Sequence, residues 1–329
     1  GRRDNKWKAR IKILVKAEGQ KFIDEVEAEY QAIVQQDGAP HTITQAELDR
    51  VTANFVVPPL RPAGVPSDVS ITAKPFQRWL TQNVGPHRVH DLRAVTLSFK
   101  RPGWAPGDAS ADTLDALAEL ADTFSSGEAR LTHEQNLMLP WVHASDLPAL
   151  YERARALGLA QPNIGLISDM IVCPGGDFCS LANARSLPIA AALTELYQDI
   201  DEVTDLGPID LHMSGCINSC GHHHSGHIGI LGVDKDGKEW YQVTLGGSDG
   251  SALSGPATPG KVVGPSFSAA EVPAVVEAIL DTYRELRTSA AERFIDTLRR
   301  VGHDPFKQAA NGARRIDHRA ARQAEEATA

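Results

Sequence analysis

Apolar residues recur at helical spacing over the first part of the chain. Members of the set stand three or four positions apart, a pattern typical of amphipathic helices: Trp7, Ile11, Leu14, Phe22, Val26 and Tyr30. Thr44 and Glu47 form a capping box ahead of a further helix. Four prolines between Pro58 and Pro66 then predict a stiff linker. We assign residues 1–70 to an N-terminal helical segment and its Pro-rich linker.

Strand and helix patterns alternate from about residue 71 to residue 160. Two runs alternate apolar and polar positions as strands with one buried face do, and they contain Val95, Leu97 and Phe99, then Leu137, Leu139 and Trp141. Each run is followed by a helical stripe, made of Leu114, Leu117, Leu120 and Phe124, then of Leu147, Leu150, Ala154 and Leu157. The pattern predicts a compact α+β unit over 71–160.

A second α/β unit is predicted over 161–307. Residues 227–233 and 239–245 read as two strands, and the sequence Asp234-Lys235-Asp236-Gly237 between them favours a hairpin turn. Ser268 and Glu271 form a capping box before a helix with an apolar stripe. Residues 308–329 are polar and alanine-rich with little periodicity, so we expect a disordered tail there.

Composition and charge exclude several classes of protein. The chain has 329 residues, 42% of them hydrophobic, which is enough for a substantial core. No apolar run approaches the roughly 18 residues of a membrane-spanning helix. The formal net charge of −9 argues against a nucleic-acid-binding protein. With no signal peptide at its start, the chain is expected in the cytoplasm.

The four cysteines are the clearest chemical signal. Cys173, Cys179, Cys216 and Cys220 fall within 48 residues, as C-x5-C and C-x3-C separated by 36 residues. Four cysteines are too few for a disulfide scaffold of this size, and a cytoplasmic protein keeps its thiols reduced. The clustering therefore predicts a metal site.

Three interpretations of that site compete. Structural zinc sites use C-x2-4-C pairs, and the first pair here is wider. Iron–sulfur clusters also take four thiolates and tolerate more varied spacing. Inert thiols would leave unexplained the glycines beside each pair, because glycine allows backbone to approach a bulky cofactor closely: Gly175, Gly176, Gly215 and Gly221. The histidine-rich run from His222 to His227 reads more simply as local structure than as a ligand set.

Five segments resemble the sirohaem-dependent nitrite and sulfite reductases, and most of all the bacterial assimilatory sulfite reductase haemoprotein. The cysteine loops CPGGDFC at 173–179 and SGCINSCGHHHSGHIGILG at 214–232 carry most of the likeness. The opening residues GRRDNKWKARIKILVK, the segment ARLTHEQNLMLPWV at 129–142 and the segment ERFIDTLRRVGHDPFK at 292–307 extend it. The resemblance implies a ferredoxin-like half-domain over 71–160, followed by an α/β domain over 161–307 that binds sirohaem and a [4Fe–4S] cluster.

The resemblance also implies roles for particular residues. Cys173, Cys179, Cys216 and Cys220 would hold the cluster, and Cys220 would in addition be the axial ligand of the sirohaem iron. Sirohaem carries eight carboxylates, and the family uses a strand motif beside it that matches Arg130, Thr132, Gln135 and Asn136 here. Asn218, between the last two cysteines, would direct its amide toward the macrocycle.

Six-electron reduction of sulfite to sulfide in sulfur assimilation is the activity that the resemblance implies. Nitrite reduction to ammonium is the alternative within the same fold, and a non-catalytic protein with a four-cysteine metal site is the alternative outside it. Electrons would come from a flavoprotein subunit or from ferredoxin, since the chain shows no flavin- or NADPH-binding motif. The chain resembles only the second half of the family, so the substrate-binding arginines and lysines are expected in a preceding portion, and the chain alone is expected to be inactive.

Overall fold

The computed structural model describes residues 11–38, 43–251 and 254–314. These residues fall into two units that divide after Pro58. Trp7 and the segment 315–329 of the predicted tail lie outside the described residues. Within the described ranges, no helix combines the length and apolarity needed to cross a lipid bilayer.

The first unit is helical, as the apolar spacing predicts. It contains α1 (Ile11–Glu18), α2 (Gln20–Asp37) and α3 (Gln45–Thr52). The predicted capping box is confirmed on its first half, because the Thr44 hydroxyl accepts the backbone N–H of Glu47 at 3.2 Å.

The second unit begins with an antiparallel sheet flanked by helices, which we call the four-stranded module (residues 59–160). Its elements are α4 (Lys74–Asn83), β1 (Val84–Pro86), β2 (Leu92–Leu97), α5 (Ala111–Phe124), β3 (Arg130–Leu131), β4 (Leu137–His143) and α6 (Leu147–Ala156). The strand order is β1-β2-β4-β3. Trp79, Phe124 and Leu139 are fully buried between sheet and helices. Leu114 was predicted on the buried stripe of α5, but it is exposed, and Ala121 takes a core position on that helix instead.

The Pro-rich segment is fastened to the four-stranded module rather than free of it. Asp146, whose side chain is buried, accepts the backbone N–H groups of Gly64 and Val65 at 2.8 and 3.0 Å. The same carboxylate is paired with Arg61. These contacts hold the pKa of Asp146 below its usual range, against the opposing effect of burial.

A five-stranded mixed sheet forms the rest of the chain, which we call the five-stranded module (residues 161–314). Its elements are β5 (Ile171–Val172), α7 (Leu187–Leu196), α8 (Ile200–Leu206), β6 (Leu211–Ser214), β7 (Ile228–Lys235), β8 (Lys238–Leu245), β9 (Lys261–Val262), α9 (Val272–Leu286) and α10 (Phe294–Val301), with a last helix, α11, over 304–314. The strand order is β5-β6-β7-β8-β9. Strands β5, β6 and β7 are parallel, and β8 and β9 are antiparallel to their neighbours. The predicted α+β fold class is confirmed.

The predicted hairpin joins β7 to β8. Its two-residue turn is made of Asp236 and Gly237, with φ angles of 56° and 76°. Both residues therefore occupy the left-handed region that a type I′ turn requires, and Asp and Gly are favoured there. The turn chemistry in the sequence was sufficient to find this element.

The predicted disordered tail does not begin at residue 308. Residues 304–314 are helical, and Phe306 and Ala310 belong to the core of the five-stranded module with no exposed surface. Tertiary packing, rather than the weak local pattern, stabilises this helix.

A buried lysine connects the two modules. Lys100 Nζ donates to the carbonyl oxygens of Glu134 and Gln135 at 2.5 and 3.3 Å, and it lies 3.3 Å from both Asn136 Oδ1 and Asp169 Oδ1. The Lys100 and Asp169 side chains are only 2% and 4% exposed. Burial lowers the pKa of Lys100 and raises the pKa of Asp169, each against the attraction of the other. Both pKa shifts show that burial disfavours the two charges. The pair therefore fixes how the two modules are joined more than it adds stability.

Replacing Lys100 by Met should lower the free energy of unfolding by about 3 kcal/mol, because the buried Asp169 then loses its cationic partner and keeps only neutral donors. The double variant K100M/D169N should recover part of this loss, since it removes the unpaired charge. Chemical denaturation followed by circular dichroism measures both, with K74M as the control. Lys74 pairs with Asp201 at the exposed surface, so its variant should change stability by less than about 0.5 kcal/mol.

The loss in K100M should also depend on pH. The raised pKa of Asp169 means that the folded state binds a proton more tightly than the unfolded chain does. Stability linked to this carboxyl is therefore present below the unfolded pKa of about 3.9 and is lost as pH rises. Lys100 opposes this shift, so the pKa of Asp169 should be higher still in K100M. The stability deficit of K100M relative to wild type should therefore grow between pH 4 and pH 7. A constant deficit would contradict an ionic interaction between Lys100 and Asp169.

Candidate metal centre

The parallel strands β5 and β6 bring the two cysteine loops to the same edge of the sheet. Val172 is in register with Met213, and the backbone N–H of Cys173 donates to the Met213 carbonyl at 3.0 Å. Cys173 follows β5 directly, and Cys216 comes two residues after β6. Because the carboxyl ends of parallel strands meet at one edge, these two cysteines start their loops side by side.

Glycines allow the two loops to pack backbone against backbone. A Cβ built on Gly215 would lie 2.5 Å from the Cα of Gly175, closer than real side chains approach. A Cβ on Gly221 would overlap the carbonyl oxygen of Met213. The glycines beside the cysteines are therefore required by contact between the loops, which gives the predicted close approach a definite cause.

The segment between Cys216 and Cys220 folds into tight consecutive turns. The backbone N–H of Ser219 donates to the Cys216 carbonyl at 3.1 Å, and that of His222 donates to the Ser219 carbonyl at 2.8 Å. Ser219 and His222 have φ angles of 61° and 53°. Residues other than glycine are strained in this left-handed conformation. Such strain persists only where the surrounding structure fixes the backbone, which is common in functional loops.

The first cysteine loop is held against the second by backbone hydrogen bonds. The N–H of Cys179 donates to the Gly175 carbonyl at 2.9 Å, which closes a turn. The N–H groups of Asn183 and Ala184 donate to the Gly215 carbonyl at 2.8 and 3.1 Å. These bonds place Cys179 in the same loop cluster as Cys216.

The Cys220 thiol lies within electrostatic range of the other three cysteines. Its pKa is raised by partial burial and then by Cys173, Cys216 and Cys179. Among the described residues, no three His, Cys, Asp or Glu side chains are arranged to hold a single metal ion. Four thiolates are the donor set that a [4Fe–4S] cluster takes.

Exposure differs among the four cysteines in a way that fits a cofactor. Cys216 is buried, Cys173 and Cys179 are half-buried, and Cys220 is exposed. Three large apolar side chains within the loops are also exposed, namely Phe178, Leu181 and Ile217. Exposed apolar surface of this kind marks a binding surface. The donor set therefore fits a [4Fe–4S] cluster, and Cys220 is the cysteine left accessible to a second group.

The other predicted cofactor contacts lie in β3, in the turn between β3 and β4, and in the second cysteine loop. Arg130 is exposed and donates to Glu128 Oε1 at 2.6 Å. Thr132 and Asn136 line a cavity of about 550 Å³ between the two modules, together with His212 and His222. Asn218 is exposed between Cys216 and Cys220. The structure thus places Thr132 and Asn218 near surfaces open to a ligand, and their contact with sirohaem stays a prediction.

Gln135 and Asn136 make hydrogen bonds within the protein. Gln135 pairs with the backbone of Val172, donating to its carbonyl at 2.8 Å and accepting its N–H at 2.9 Å. Asn136 is buried, where it accepts the N–H of Phe99 at 3.1 Å and donates to Asp169 at 2.9 Å. Their predicted contacts with the macrocycle likewise stay predictions.

Histidines in and beside the second cysteine loop make hydrogen-bond contacts within the protein. His227 is buried, and its Nδ1 accepts the backbone N–H of Asp210 at 3.1 Å while its Nε2 lies 3.0 Å from Ser254 Oγ. His212 Nδ1 lies 3.0 Å from the His222 carbonyl. Burial lowers the pKa of both His212 and His227. They hold the loop in place in their neutral forms.

Sequence reasoning missed Lys100 and Asp169, which fix the turn that carries Gln135 and Asn136. The two residues are far apart along the chain, and no local pattern near either of them indicates a buried ion pair. A lysine directly after an apolar strand, at Ser98-Phe99-Lys100, was the one available hint.

Comparison with protein-family models matches both modules. The nitrite/sulfite reductase ferredoxin-like half domain matches residues 95–157, and the nitrite and sulphite reductase 4Fe-4S domain matches residues 166–316. The chain belongs to the nitrite and sulfite reductase family. Its 4Fe-4S domains bind a [4Fe–4S] cluster and sirohaem. The expected ferredoxin-like half-domain and cluster domain are confirmed.

Relatives of this chain are named for both anions. The chloroplastic ferredoxin–nitrite reductase of Betula pendula is 36% identical over 169 residues, which is 50% of this chain and 29% of that protein. The sulfite reductase [ferredoxin] 1 of Mycolicibacterium paratuberculosis is 33% identical over 159 residues, which is 45% of this chain and 28% of that protein. Each alignment therefore spans under a third of the relative.

Solved structures show the same fold. The Mycobacterium tuberculosis NirA protein superposes with a TM-score of 0.60 at 25% identity, covering 93% of this chain and 50% of NirA. Dissimilatory sulfite reductase I superposes with a TM-score of 0.55 at 16% identity, covering 67% of this chain and 69% of that one. This chain spans half the length of NirA.

Replacing Gly221 by Ala should prevent the loops from closing, since the added Cβ overlaps the Met213 carbonyl. We expect a loss of about 3 kcal/mol in stability and less iron and acid-labile sulfide per chain. Gly85→Ala is the matched control, because its Cβ would lie at an ordinary 3.6 Å from the Ala94 carbonyl. Metal analysis after anaerobic purification decides, and equal iron in both variants would contradict the packing account.

Proposed function

We propose that this chain is the cluster- and sirohaem-carrying half of an assimilatory sulfite reductase, which reduces sulfite to sulfide with six electrons. The observation that carries the proposal is the meeting of four cysteines at one sheet edge with Cys220 left exposed. A buried structural zinc site would have no reason to leave one of its thiols open.

The exposure of Cys220 supports the residue roles that the resemblance implies. Cys173, Cys179 and Cys216 would hold the cluster, and Cys220 would hold it while also binding the sirohaem iron. When bound, the cluster would supply electrons singly to the sirohaem, where the substrate anion would be reduced. The backbone turns at Ser219 and His222 would orient Cys220 for this role.

Polar residues at the edge of this surface would hold the carboxylates of the macrocycle. Arg130 is the first residue of β3, Thr132 follows β3 in the turn to β4, and Asn218 lies between Cys216 and Cys220. Arg130 offers the charge-assisted hydrogen bonds that carboxylates prefer, once it exchanges Glu128 for the cofactor.

Ferredoxin is the proposed electron donor, because relatives of both substrate types carry it in their names. The proposed location is the cytoplasm, where thiols stay reduced. Since the alignments cover part of each relative, we expect the 329-residue chain by itself to keep the cluster and to show no turnover.

Nitrite reduction to ammonium is the second candidate. Seven relatives from plants, a cyanobacterium and an archaeon are named as nitrite reductases, at 30–36% identity. Both anions suit one site design, so the choice between them depends on residues beyond the two modules described here.

The test is anaerobic purification of the protein after co-expression with sirohaem synthesis. We expect a sirohaem absorption band, and iron in excess of the four atoms of one cluster. For the proposed full-length reductase supplied with reduced ferredoxin, kcat/KM should be larger for sulfite than for nitrite. A larger value for nitrite would overturn the substrate and keep the cofactors, and zinc without labile sulfide would favour a non-catalytic four-cysteine protein.

Replacing Cys220 by Ser should abolish the electronic coupling between the two cofactors. In the proposed full-length reductase it should reduce turnover by at least about a hundredfold, since an axial ligand is among the main determinants of haem chemistry. Ser180→Ala is the matched control, because Ser180 is exposed in the other cysteine loop. Absorption and electron paramagnetic resonance spectra of both variants report the coupling directly, and unchanged spectra in C220S would remove Cys220 from its assigned role.

A further inference from the structure

The side chain of Gln135 occupies the free edge of β5. This strand is the last of the five-stranded sheet on its side, so one of its edges has no strand neighbour. The backbone of Cys173 bonds toward β6, whereas the N–H and C=O of Val172 point to the other side, because alternate residues of a strand face opposite edges. The Gln135 amide binds both groups, at 2.9 and 2.8 Å.

Gln135 thus makes the pair of hydrogen bonds that an adjacent strand would make. The residue it binds, Val172, immediately precedes Cys173, the first of the four cysteines. A displacement of Val172 would move Cys173 directly, since β5 is only two residues long and has β6 as its one strand neighbour.

The turn that carries Gln135 is built to hold this side chain in place. Gln135 has a φ of 59°, a left-handed conformation that is unfavourable for a residue other than glycine or asparagine. Lys100 holds the turn through the carbonyls of Glu134 and Gln135, and the Asn136 N–H donates to Thr132 Oγ1 at 3.2 Å. Strain of this kind persists only where surrounding contacts determine the conformation.

Gly107 packs closely against the Gln135 side chain. Gly107 has a φ of 88°, and a Cβ built on it would lie 3.0 Å from the Cβ of Gln135. A larger residue at 107 would therefore press on the Gln135 side chain, so glycine leaves the space that Gln135 needs.

We propose that Gln135 is a positioning residue for the iron–sulfur cluster: its side-chain amide fixes the backbone of Val172, and thereby the direction in which the Cys173 thiolate reaches iron. This role rests on the proposed function, because it requires Cys173 to be a cluster ligand. In this proposal the Gln135 amide binds the backbone of β5, in place of the sirohaem contact that the resemblance implies.

Gln135→Asn is the sharpest variant. Asparagine tolerates the left-handed backbone better than glutamine does, so the turn itself should fold at least as well. Its amide is one methylene shorter and does not reach Val172. A merely structural role for residue 135 therefore predicts unchanged or higher stability with an unchanged cluster, whereas a positioning role predicts a disturbed cluster in a stable protein.

The experiment follows the cluster in the holoprotein, purified anaerobically. We expect Q135N to lose its cluster to a chelator about tenfold faster than wild type, since two hydrogen bonds beside a ligand are gone. The electron paramagnetic resonance spectrum of the reduced cluster should change as well. Gln135→Met, which keeps the length and removes the amide, should behave in the same way.

Gln77→Asn is the matched control. Gln77 is exposed on α4 and its amide donates to the Ile71 backbone, away from the cysteine loops. Cluster loss and spectra of Q77N should equal those of wild type. If Q135N and Q135M also equal wild type in both readouts, the positioning role is overturned while the proposed function stands. A wild-type protein lacking iron and labile sulfide would overturn the proposed function, and the positioning role with it.

Discussion

Parallel pairing of β5 with β6 is the constraint on which the metal centre depends. It sets the two cysteine loops at one edge of the sheet, one directly after each strand. Antiparallel strands would have sent the loops to opposite ends of the sheet. Since the N–H of Cys173 is itself part of this pairing, the first of the four cysteines is positioned by the same hydrogen bonds that form the sheet.

Contact between the loops then demands features that would be unfavourable elsewhere in the chain. Gly215 and Gly221 leave no room for a side chain, and Ser219 and His222 adopt strained backbone conformations. Lys100 is buried with its partner although burial disfavours both charges. These features lie in or beside the cysteine site, which is where a fold concentrates departures from ideal local structure. The cores of the two modules, with ordinary apolar packing, offset them.

Features of the fold that depend on residues close together in the chain could be predicted from the sequence. The turn at Asp236 and Gly237 and the cap at Thr44 depend on neighbouring residues, and both predictions are confirmed. The predicted cap at Ser268 is wrong: its N–H and hydroxyl both donate to the Glu271 carboxylate, but Glu271 is the N-cap of α9 and no side chain caps that helix. The grouping of the four cysteines was visible from their spacing and from the resemblance to the reductases.

Features that depend on distant partners escaped the sequence. Helix 304–314 has a weak apolar pattern, and it forms because Phe306 and Ala310 fill space in a core built by other segments. Lys100 meets Asp169 across 69 positions, and Gln135 meets Val172 across 37. No local pattern in the sequence specifies such meetings, because they are set by how the two modules pack together.

The amide on the edge of β5 has a consequence for how molecules of this protein meet one another. An unpaired strand edge is a template on which a second chain can add a strand, and proteins suppress such association by covering or charging their edges. At Val172 both backbone groups are already bound by a side chain of the same molecule. An incoming strand finds neither donor nor acceptor there, so this edge is protected from intermolecular β-sheet growth.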